Sequence, residues 1–154
     1  MSYNLYWFTG QPGAGKTTLA EMLKEKLEKK HKKRKFIILD GDEIRNIFKN
    51  NDYSKEGRFT NVDIVQNCCE FLIKNDIVPI VSMVSPFREQ RFEFCKKIDG
   101  CEIFVESEEI RGKEHLFVDY YERPFFPLRE NQITIDTSYL KPEQSIKLIP
   151  KRFI

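Results

Sequence analysis

The residues best suited to chemistry form one short segment near the start of the chain: Gly10-Gln11-Pro12-Gly13-Ala14-Gly15-Lys16-Thr17. Their spacing, G-x-x-x-x-G-K-[ST], is typical of a loop that binds the phosphates of ATP or GTP. Glycines let the main chain approach phosphate oxygens without an intervening Cβ, so that backbone N–H groups converge on the anion. The segment therefore predicts a nucleotide site; the alternative is a glycine-rich turn that only starts a helix.

The polar side chains of this loop suit a metal ion as well as phosphate. Lys16 would place a positive charge at the β- and γ-phosphates, and the Thr17 hydroxyl is a ligand for Mg²⁺. A helix that starts beside them would point the positive end of its dipole at the anion. We therefore predict that the nucleotide is bound by Gly10, Gly13, Ala14, Gly15, Lys16, Thr17 and Thr18.

Three further groups of polar residues follow apolar runs along the chain. They are Asp40-Gly41-Asp42, Ser85-Pro86-Phe87-Arg88 and Asp136-Thr137. Ligands of open parallel sheets bind beyond the carboxyl ends of the strands. If the apolar runs are parallel strands, these groups share one sheet edge with the glycine-rich loop, and we expect the functional site there.

The elements that would position these residues alternate between strands and helices. Short apolar runs, typical of strands buried on both faces, cover residues 3–9, 36–39, 79–84, 101–105 and 132–135. Helical segments are predicted at 16–30, after Asp42 to residue 49, and at 60–74, 85–98 and 142–149. The alternation predicts an α/β fold, a five-stranded parallel sheet with helices on both faces.

Local signals define several boundaries. Pro79 is predicted to open its strand, because proline cannot donate a hydrogen bond to a neighbouring strand. Ser85 and Pro86 are predicted to be the N-cap and first residue of the following helix. Residues 50–57 are polar and are predicted to be a loop. On the helix at 60–74, one face carries Val62, Val65, Cys69 and Leu72.

Length and charge restrict the partners. The 154 residues, 40% of them hydrophobic, fit one compact domain over 1–154. The 26 Lys and Arg nearly balance the 24 Asp and Glu, and the formal charge of +2 favours small anionic partners over a nucleic-acid polymer. The basic run at 29–35 is predicted to be a solvated helix end.

Four cysteines, at positions 68, 69, 95 and 101, lack the paired C-x-x-C spacing of zinc or redox sites. They are predicted to be small buried hydrophobic side chains. The sequence shows no secretory leader and no apolar window of membrane-span length. We therefore expect a cytoplasmic protein without a membrane partner.

Several motifs keep a recognisable order along the chain: the loop at 10–17, Leu39-Asp40-Gly41-Asp42-Glu43-Ile44-Arg45, Tyr53-Ser54, Arg58, Asn61 and Ser85-Pro86-Phe87-Arg88. Together they resemble the adenylylsulfate kinase family, whose members transfer the γ-phosphoryl group of ATP to the ribose 3′-hydroxyl of a sulfated nucleotide. The resemblance runs to about residue 91, and more loosely over 120–148. It implies a P-loop kinase fold with a short lid, ATP and Mg²⁺ as cofactors, and a small nucleotide acceptor. Family members are commonly dimers, so a homodimer is an expected assembly.

The resemblance also implies roles for individual residues. Lys16, Asp40 and Asp42 would be catalytic: Asp40 would hold the metal with Thr17, and the two aspartates are candidates for accepting the hydroxyl proton. Arg45, Arg58 and Asn61 would bind the anion and sugar of the acceptor, and Tyr53 and Phe87 would flank its base. Ser85 could contact the acceptor, and Lys113 or Arg111 on the lid could add a cation.

Each of these residues has a purely structural alternative. Asp40-Gly41-Asp42 could be a turn with a helix N-cap. The arginines and lid cations could be surface charges, Asn61 could start a helix, and Tyr53 and Phe87 could close the core.

Two departures from the family pattern leave the acceptor open. After Asn61 the family has Ile-Arg-Arg, whereas this chain has Val62-Asp63-Ile64. The lid is also shorter, since 111–117 runs almost directly into Tyr121-Glu122-Arg123-Pro124. We therefore expect an intact ATP side, with either adenylylsulfate or the cytidine diphosphoramidate of capsule modification as acceptor. A nucleotide-dependent switch is the alternative from another class, although a switch has no use for a second polar site.

Overall fold

Five parallel strands form one sheet in the computed structural model, which describes residues 3–109 and 112–154. The strands are β1 (Leu5–Thr9), β2 (Lys35–Asp40), β3 (Ile77–Ser82), β4 (Gly100–Glu106) and β5 (Gln132–Asp136). Their order across the sheet is β2-β3-β1-β4-β5, which places β1 in the centre. After β1 the chain forms β2 and β3 on one side of β1, and then β4 and β5 on the other side. The direction of the strand order therefore changes at β1, and parallel sheets bind ligands at such a switch point.

In the described residues, four helices connect the strands and a fifth follows β5: α1 (Lys16–Lys30), α2 (Gly41–Phe48), α3 (Lys55–Lys74), α4 (Arg88–Ile98) and, after β5, α5 (Pro142–Ser145). Short 3₁₀ turns occupy Glu114–Leu116, Ile146–Leu148 and Lys151–Phe153. The predicted last helix is therefore α-helical only over its first four residues. Within the described ranges, the helices are too short or too polar to cross a membrane.

The sheet is covered on both faces, as predicted. Tyr6 and Phe8 of β1 belong to a buried cluster with α1 and the C-terminal segment, whereas Leu5 and Trp7 belong to a second cluster with α3 and α4. All four side chains are fully buried. Burial of a large apolar side chain contributes about 1.5 to 3 kcal/mol, so this alternation fixes the register of β1. The predicted fold class is confirmed.

Helix α3 begins five residues earlier than predicted. The Ser54 side chain caps it by accepting a hydrogen bond from the Gly57 N–H at 3.1 Å. Gly57, predicted to lie in a loop, is in the first turn of α3, packed so closely on Asp52 that a Cβ would collide with the main chain and side chain of that residue. A contact across the preceding loop, rather than local helix propensity, places this start.

The predicted start of β3 and the predicted start of the helix after it are both wrong. Pro79 lies inside the strand, opposite Ile37 of β2, while pairing with β1 starts only at Ile80. Because the β1 ladder begins after Pro79, the missing N–H is tolerated in a central strand.

Ser85 is not the N-cap of the next helix, which starts at Arg88 with Phe87 as N-cap. Ser85 is buried and has a positive φ of 42°, and its hydroxyl accepts a hydrogen bond from the Trp7 indole at 2.9 Å. Its partner in the core outweighs its local capping preference.

Three of the four cysteines are buried, as predicted, and the fourth is not. Cys69, Cys95 and Cys101 are buried and Cys68 is half-buried; all four are free thiols. Burial raises the pKa of the three buried thiols.

Candidate active site

The glycine-rich loop follows β1 and leads into α1, the context that the motif requires. Gly10 must be glycine because a Cβ there would collide with the Val105 carbonyl of β4. Gly15 has a φ of 105° and stands at the N-cap of α1 without a side chain to cap it. Within the described residues no side chain caps α1, so its first N–H groups are available to an anion, an arrangement common where helix N-termini bind phosphate.

Lys16 is enclosed by this loop, with 8% of its surface exposed. Its ammonium donates a hydrogen bond to the main-chain carbonyl of Gln11 at 2.8 Å. Burial lowers the pKa of Lys16 to about 8, and the nearby charges of Asp42 and Asp40 only partly oppose that effect. The lysine is thus held in the loop by a neutral acceptor that a phosphate oxygen could replace.

Oxygen atoms from three elements meet beside Lys16. The Thr17 hydroxyl of α1 lies 3.4 Å from Asp40 Oδ2 at the end of β2 and 3.0 Å from Ser82 Oγ at the end of β3. A hydroxyl and a carboxylate are the ligands that Mg²⁺ prefers, so this group fits the predicted metal. Ser82 was missed at the sequence level; its place at the carboxyl end of an apolar run is the signal that could have identified it.

Asp40 also caps helix α2. Its Oδ1 accepts hydrogen bonds from the N–H groups of Asp42, at 2.9 Å, and Glu43, at 3.4 Å. The structural alternative for Asp40 is confirmed through Oδ1, whereas Oδ2 lies beside Thr17, and its predicted role as a metal ligand stays a prediction. In the described part of the chain, the carboxylate of Asp42 makes no hydrogen bond, and it faces the cavity described next.

One cavity of about 570 Å³ lies above the carboxyl edge of the sheet, a size typical of small-molecule sites. Most of the predicted site residues line it: Gly13, Gly15, Lys16, Thr17, Thr18, Asp40, Asp42, Arg45, Tyr53, Arg58, Asn61, Ser85 and Lys113. Three lie outside its lining, namely Gly10, Ala14 and Phe87. Residues that were not predicted to belong to the site also contribute, among them Ser82, Met83, Val84 and Leu116.

The wall opposite the loop, which we call the acceptor wall, consists of Arg45, Tyr53, Arg58 and Asn61. Arg45 is buried, and its Nη1 donates to the carbonyls of Asn50 at 3.1 Å and Asp52 at 2.9 Å. The guanidinium carbons of Arg45 and Arg58 lie 4.1 Å and 5.5 Å from the centre of the Tyr53 ring. Neither arginine is an ordinary surface charge.

Asn61 gives the acceptor wall an unused hydrogen-bond acceptor. Its side chain is 2% exposed and Nδ2 donates to the Gly41 carbonyl at 3.4 Å. Its Oδ1 is buried and has no hydrogen-bond partner within the described ranges. Because buried polar atoms are rarely unpaired, this oxygen suits a hydroxyl or amine of a ligand.

The remaining predicted residues differ in their placement. Phe87 lies between the rings of Phe59, at 5.8 Å, and Tyr120, at 6.0 Å, beside rather than on the cavity wall. Ser85 lines the cavity, but its hydroxyl is engaged with Trp7. Lys113 lines the cavity from the lid, and Arg111 lies outside the described residues.

Asp63, which stands where the family pattern has an arginine, does not line the cavity. It is exposed, and its carboxylate accepts a hydrogen bond from Gln90 Nε2 at 3.2 Å. The change therefore removes a cation from this position without adding a carboxylate to the acceptor wall.

The lid has two parts. Residues 112–117, which we call the lid tip, are exposed. Residues 118–122, the lid base, are held to the loop, to β1 and to the segment after β3 through Val118, Tyr121 and Glu122. The anchored base and exposed tip fit the predicted short lid, whose closing over a ligand stays a prediction.

Comparison with known proteins gives a consistent result. The family model described as Adenylylsulphate kinase matches residues 3–124. A probable adenylyl-sulfate kinase of Pyrococcus abyssi is 32% identical over 167 residues, covering 95% of this chain and 92% of that protein. An adenylyl-sulfate kinase of Picosynechococcus sp. is 43% identical over 103 residues, covering 66% of this chain and 57% of that protein.

Solved structures share the architecture. The hexameric APS kinase from Thiobacillus denitrificans has a TM-score of 0.71 and 28% identity, covering 94% of this chain and 27% of that one. The Mycobacterium tuberculosis APS kinase CysC, solved with AMPPNP and APS, has a TM-score of 0.72 and 20% identity, covering 93% and 92%. At the latter identity the likeness concerns the fold.

Proposed function

The chain belongs to the adenylylsulfate kinase family and is an ATP-dependent kinase, and from this premise we propose that it phosphorylates the ribose 3′-hydroxyl of adenylylsulfate. The observation that carries the proposal is the cavity itself, which joins a phosphate loop to a second wall of polar and aromatic side chains. The names of the relatives from Pyrococcus abyssi and Picosynechococcus sp. support the choice of acceptor.

On the donor side, the loop and the N-terminus of α1 would bind the triphosphate of ATP. Lys16 would exchange its bond to the Gln11 carbonyl for one to a phosphate oxygen, and its low exposure would strengthen that contact. Thr17 and Asp40 would hold Mg²⁺, which supplies charge neutralisation at the phosphates when bound.

On the acceptor side, we assign the proton of the 3′-hydroxyl to Asp42, whose carboxylate faces the cavity without a competing hydrogen bond. A bond forms between the 3′-oxygen and the γ-phosphorus, the bond to the β-phosphate oxygen breaks, and ADP leaves. Arg45, Arg58 and Asn61 would orient the acceptor, with Tyr53 against its base. Such positioning supplies most of the catalysis in phosphoryl transfer.

A second acceptor, cytidine diphosphoramidate, is favoured by the charge of the cavity. In the described part of the chain, its cations are Lys16, Arg45, Arg58 and Lys113, and Nη1 of Arg45 is engaged by two carbonyls. A terminal amidate carries the same formal charge as a sulfate but presents an N–H donor in place of one oxygen, so fewer of its contacts have to come from cations. The short lid and the Asp63 substitution favour this acceptor for the same reason.

The decisive experiment measures ADP release from MgATP with adenylylsulfate, cytidine diphosphoramidate and plain nucleotides in parallel. We expect release that depends on one of the first two acceptors, and a product whose phosphorus NMR signal couples to the ribose H3′. Equal release without any acceptor would instead support the switch. A phosphorylated product with the group at another position would contradict the 3′-hydroxyl assignment.

A further inference from the structure

The side chain of Gln11 connects the phosphate loop to the lid. Its Nε2 donates to the Val118 carbonyl at 2.7 Å, and its Oε1 accepts from the Val118 N–H at 2.9 Å. Both main-chain groups of a single residue are therefore paired with one side-chain amide. Gln11 occupies a variable position of the G-x-x-x-x-G-K-[ST] pattern, so the motif itself gives this residue no role.

Val118 marks the boundary between the two parts of the lid. It is 3% exposed, whereas Phe117, immediately before it, is 52% exposed. The lid base after Val118 has further anchors: the Tyr121 hydroxyl lies 2.7 Å from Thr9 Oγ1, and the Glu122 N–H donates to the Pro86 carbonyl at 2.9 Å. Gln11 is thus the contact that fixes the end of the lid base next to the exposed lid tip.

The main chain of Gln11 also contacts the catalytic lysine. Its carbonyl accepts from the Lys16 ammonium at 2.8 Å and from the Ala14 N–H at 3.3 Å. One residue therefore contacts the phosphate loop, the lysine and the lid boundary. A displacement of the loop around position 11 is transmitted to Val118 through two hydrogen bonds rather than through solvent.

We propose that Gln11 is a positioning residue that fixes the hinge of the lid at Val118, so that the lid tip closes over bound nucleotide in one defined place. Lys113 and Leu116 of the lid tip line the cavity, and their position depends on where the hinge lies. Closure that excludes water favours transfer to the acceptor over hydrolysis. The inference rests on the proposed function in that it assigns a step of the same reaction to this residue.

The test compares Gln11→Met with Gln66→Met. Met preserves side-chain length and removes both hydrogen-bonding groups. Gln66 is the matched control, because it also donates to a main-chain carbonyl, that of Gln90 at 3.1 Å, and does not line the cavity. We expect hydrogen exchange at the Val118 amide to accelerate about fivefold or more in Gln11→Met, the effect of losing one hydrogen bond from a local opening equilibrium.

For activity, we expect Gln11→Met to lower kcat for transfer about tenfold and to raise the ratio of ATP hydrolysis to transfer, with KM for ATP within about twofold of wild type. Gln66→Met should match wild type in all three quantities. A purely structural role for Gln11 would lower thermal stability without changing the hydrolysis ratio.

One readout does not require the acceptor to be known. AMPPNP should slow exchange across 112–117 in the wild type and in Gln66→Met, but markedly less in Gln11→Met. If no acceptor is phosphorylated, the proposed function fails while this comparison still decides the role of Gln11. If Gln11→Met does not fold, Gln11→Asn serves instead, because it keeps the amide and shortens its reach. Unchanged exchange at Val118, or an unchanged hydrolysis ratio, would overturn the proposal.

Discussion

The phosphate loop and the acceptor wall face the same cavity but are built differently. The loop is main chain: Gly10 lies against the Val105 carbonyl, and Lys16 is buried within the turn. The acceptor wall is formed by side chains that contact one another, with two guanidinium groups against a Tyr53 ring that is 58% exposed. A site made of backbone binds what every nucleoside triphosphate shares, whereas a site made of side chains can change with the acceptor.

The energetic cost of a substitution also differs between the acceptor wall and the phosphate loop. A cation over an aromatic ring contributes about 0.5 to 2 kcal/mol, so the acceptor wall can change one residue at a time at modest cost. A Cβ forced against a backbone carbonyl at Gly10 would require strands β1 and β4 to separate. Substitutions on the donor side should therefore abolish turnover, and those on the acceptor wall should shift affinity.

The largest effect is expected from Lys16→Ala. Removing the buried cation should lower kcat at least about a hundredfold, because charge on the transferring group is then uncompensated. Lys29→Ala is the control, since Lys29 is on the same helix, its side chain is 72% exposed, and among the residues that the structure describes its ion pair is with Glu25 alone. Steady-state kinetics in which Lys16→Ala retains a tenth of wild-type turnover would reject its catalytic role.

Asp42→Asn should follow, with kcat reduced by about a hundredfold and little change in MgATP affinity. The amide has nearly the shape of the carboxylate but cannot accept the hydroxyl proton. Glu43→Gln changes the neighbouring carboxylate in the same turn of α2, outside the cavity, and should leave the rate unchanged. Near-normal turnover in Asp42→Asn would move the proton acceptor elsewhere.

The acceptor wall should respond through affinity. Arg45→Ala should raise the KM for the acceptor about tenfold and cost about 1 kcal/mol of stability, because the carbonyls of Asn50 and Asp52 lose their donor. Arg58→Ala, which loses a ring contact but neither of those bonds, should raise the same KM about threefold with little change in unfolding. If both variants instead lowered kcat and left the KM for the acceptor unchanged, the contrast between the phosphate loop and the acceptor wall would be wrong.

The smallest effect concerns pH. In the protein without nucleotide the pKa of Lys16 is about 8, so the charged form of its side chain is lost as pH rises. Affinity for MgATP should therefore fall about fourfold between pH 7 and 8.5. Isothermal titration in buffers of different ionisation enthalpy should show proton uptake on binding near pH 8. No uptake would mean that the lysine is already charged in the free loop.

The same pKa predicts the sign of a stability change. Burial lowers the pKa of Lys16 from 10.5 to about 8, so between these values the unfolded chain binds more protons than the folded one. Stability should therefore rise with pH across that window relative to Lys16→Met. Denaturant unfolding of both proteins from pH 7.5 to 10 measures the difference, and parallel curves would exclude this contribution.

The loop at 10–17 and the elements beside it were predictable because the sequence signals for them are local. The glycine spacing, the strand before it and the helix after it lie within one stretch of sequence, and α1 has the predicted bounds. The carboxyl-edge argument also brought Asp40 and Asp42 to the same cavity as the loop. Capping of α2 and contact with the cavity residues look like alternatives for Asp40 in the sequence, whereas in the structure one carboxylate makes both contacts.

What sequence reasoning missed depends on distant partners. Ser85 looks like a helix cap until Trp7, 78 residues away in sequence, takes its hydroxyl. Gln11 acquires a role only from Val118, 107 residues later. No local pattern encodes such contacts, and tertiary packing decides them.

The cysteines give this chain a practical use in fluorescence. Cys68 alone of the four has a partly exposed side chain, while burial keeps the thiolate form of the others scarce. A maleimide dye should therefore label α3 at a single position without mutagenesis. Since Asn61 lies in the same helix, a change in the emission of that dye when an acceptor is added would be a direct test of binding at the acceptor wall, without a coupled assay.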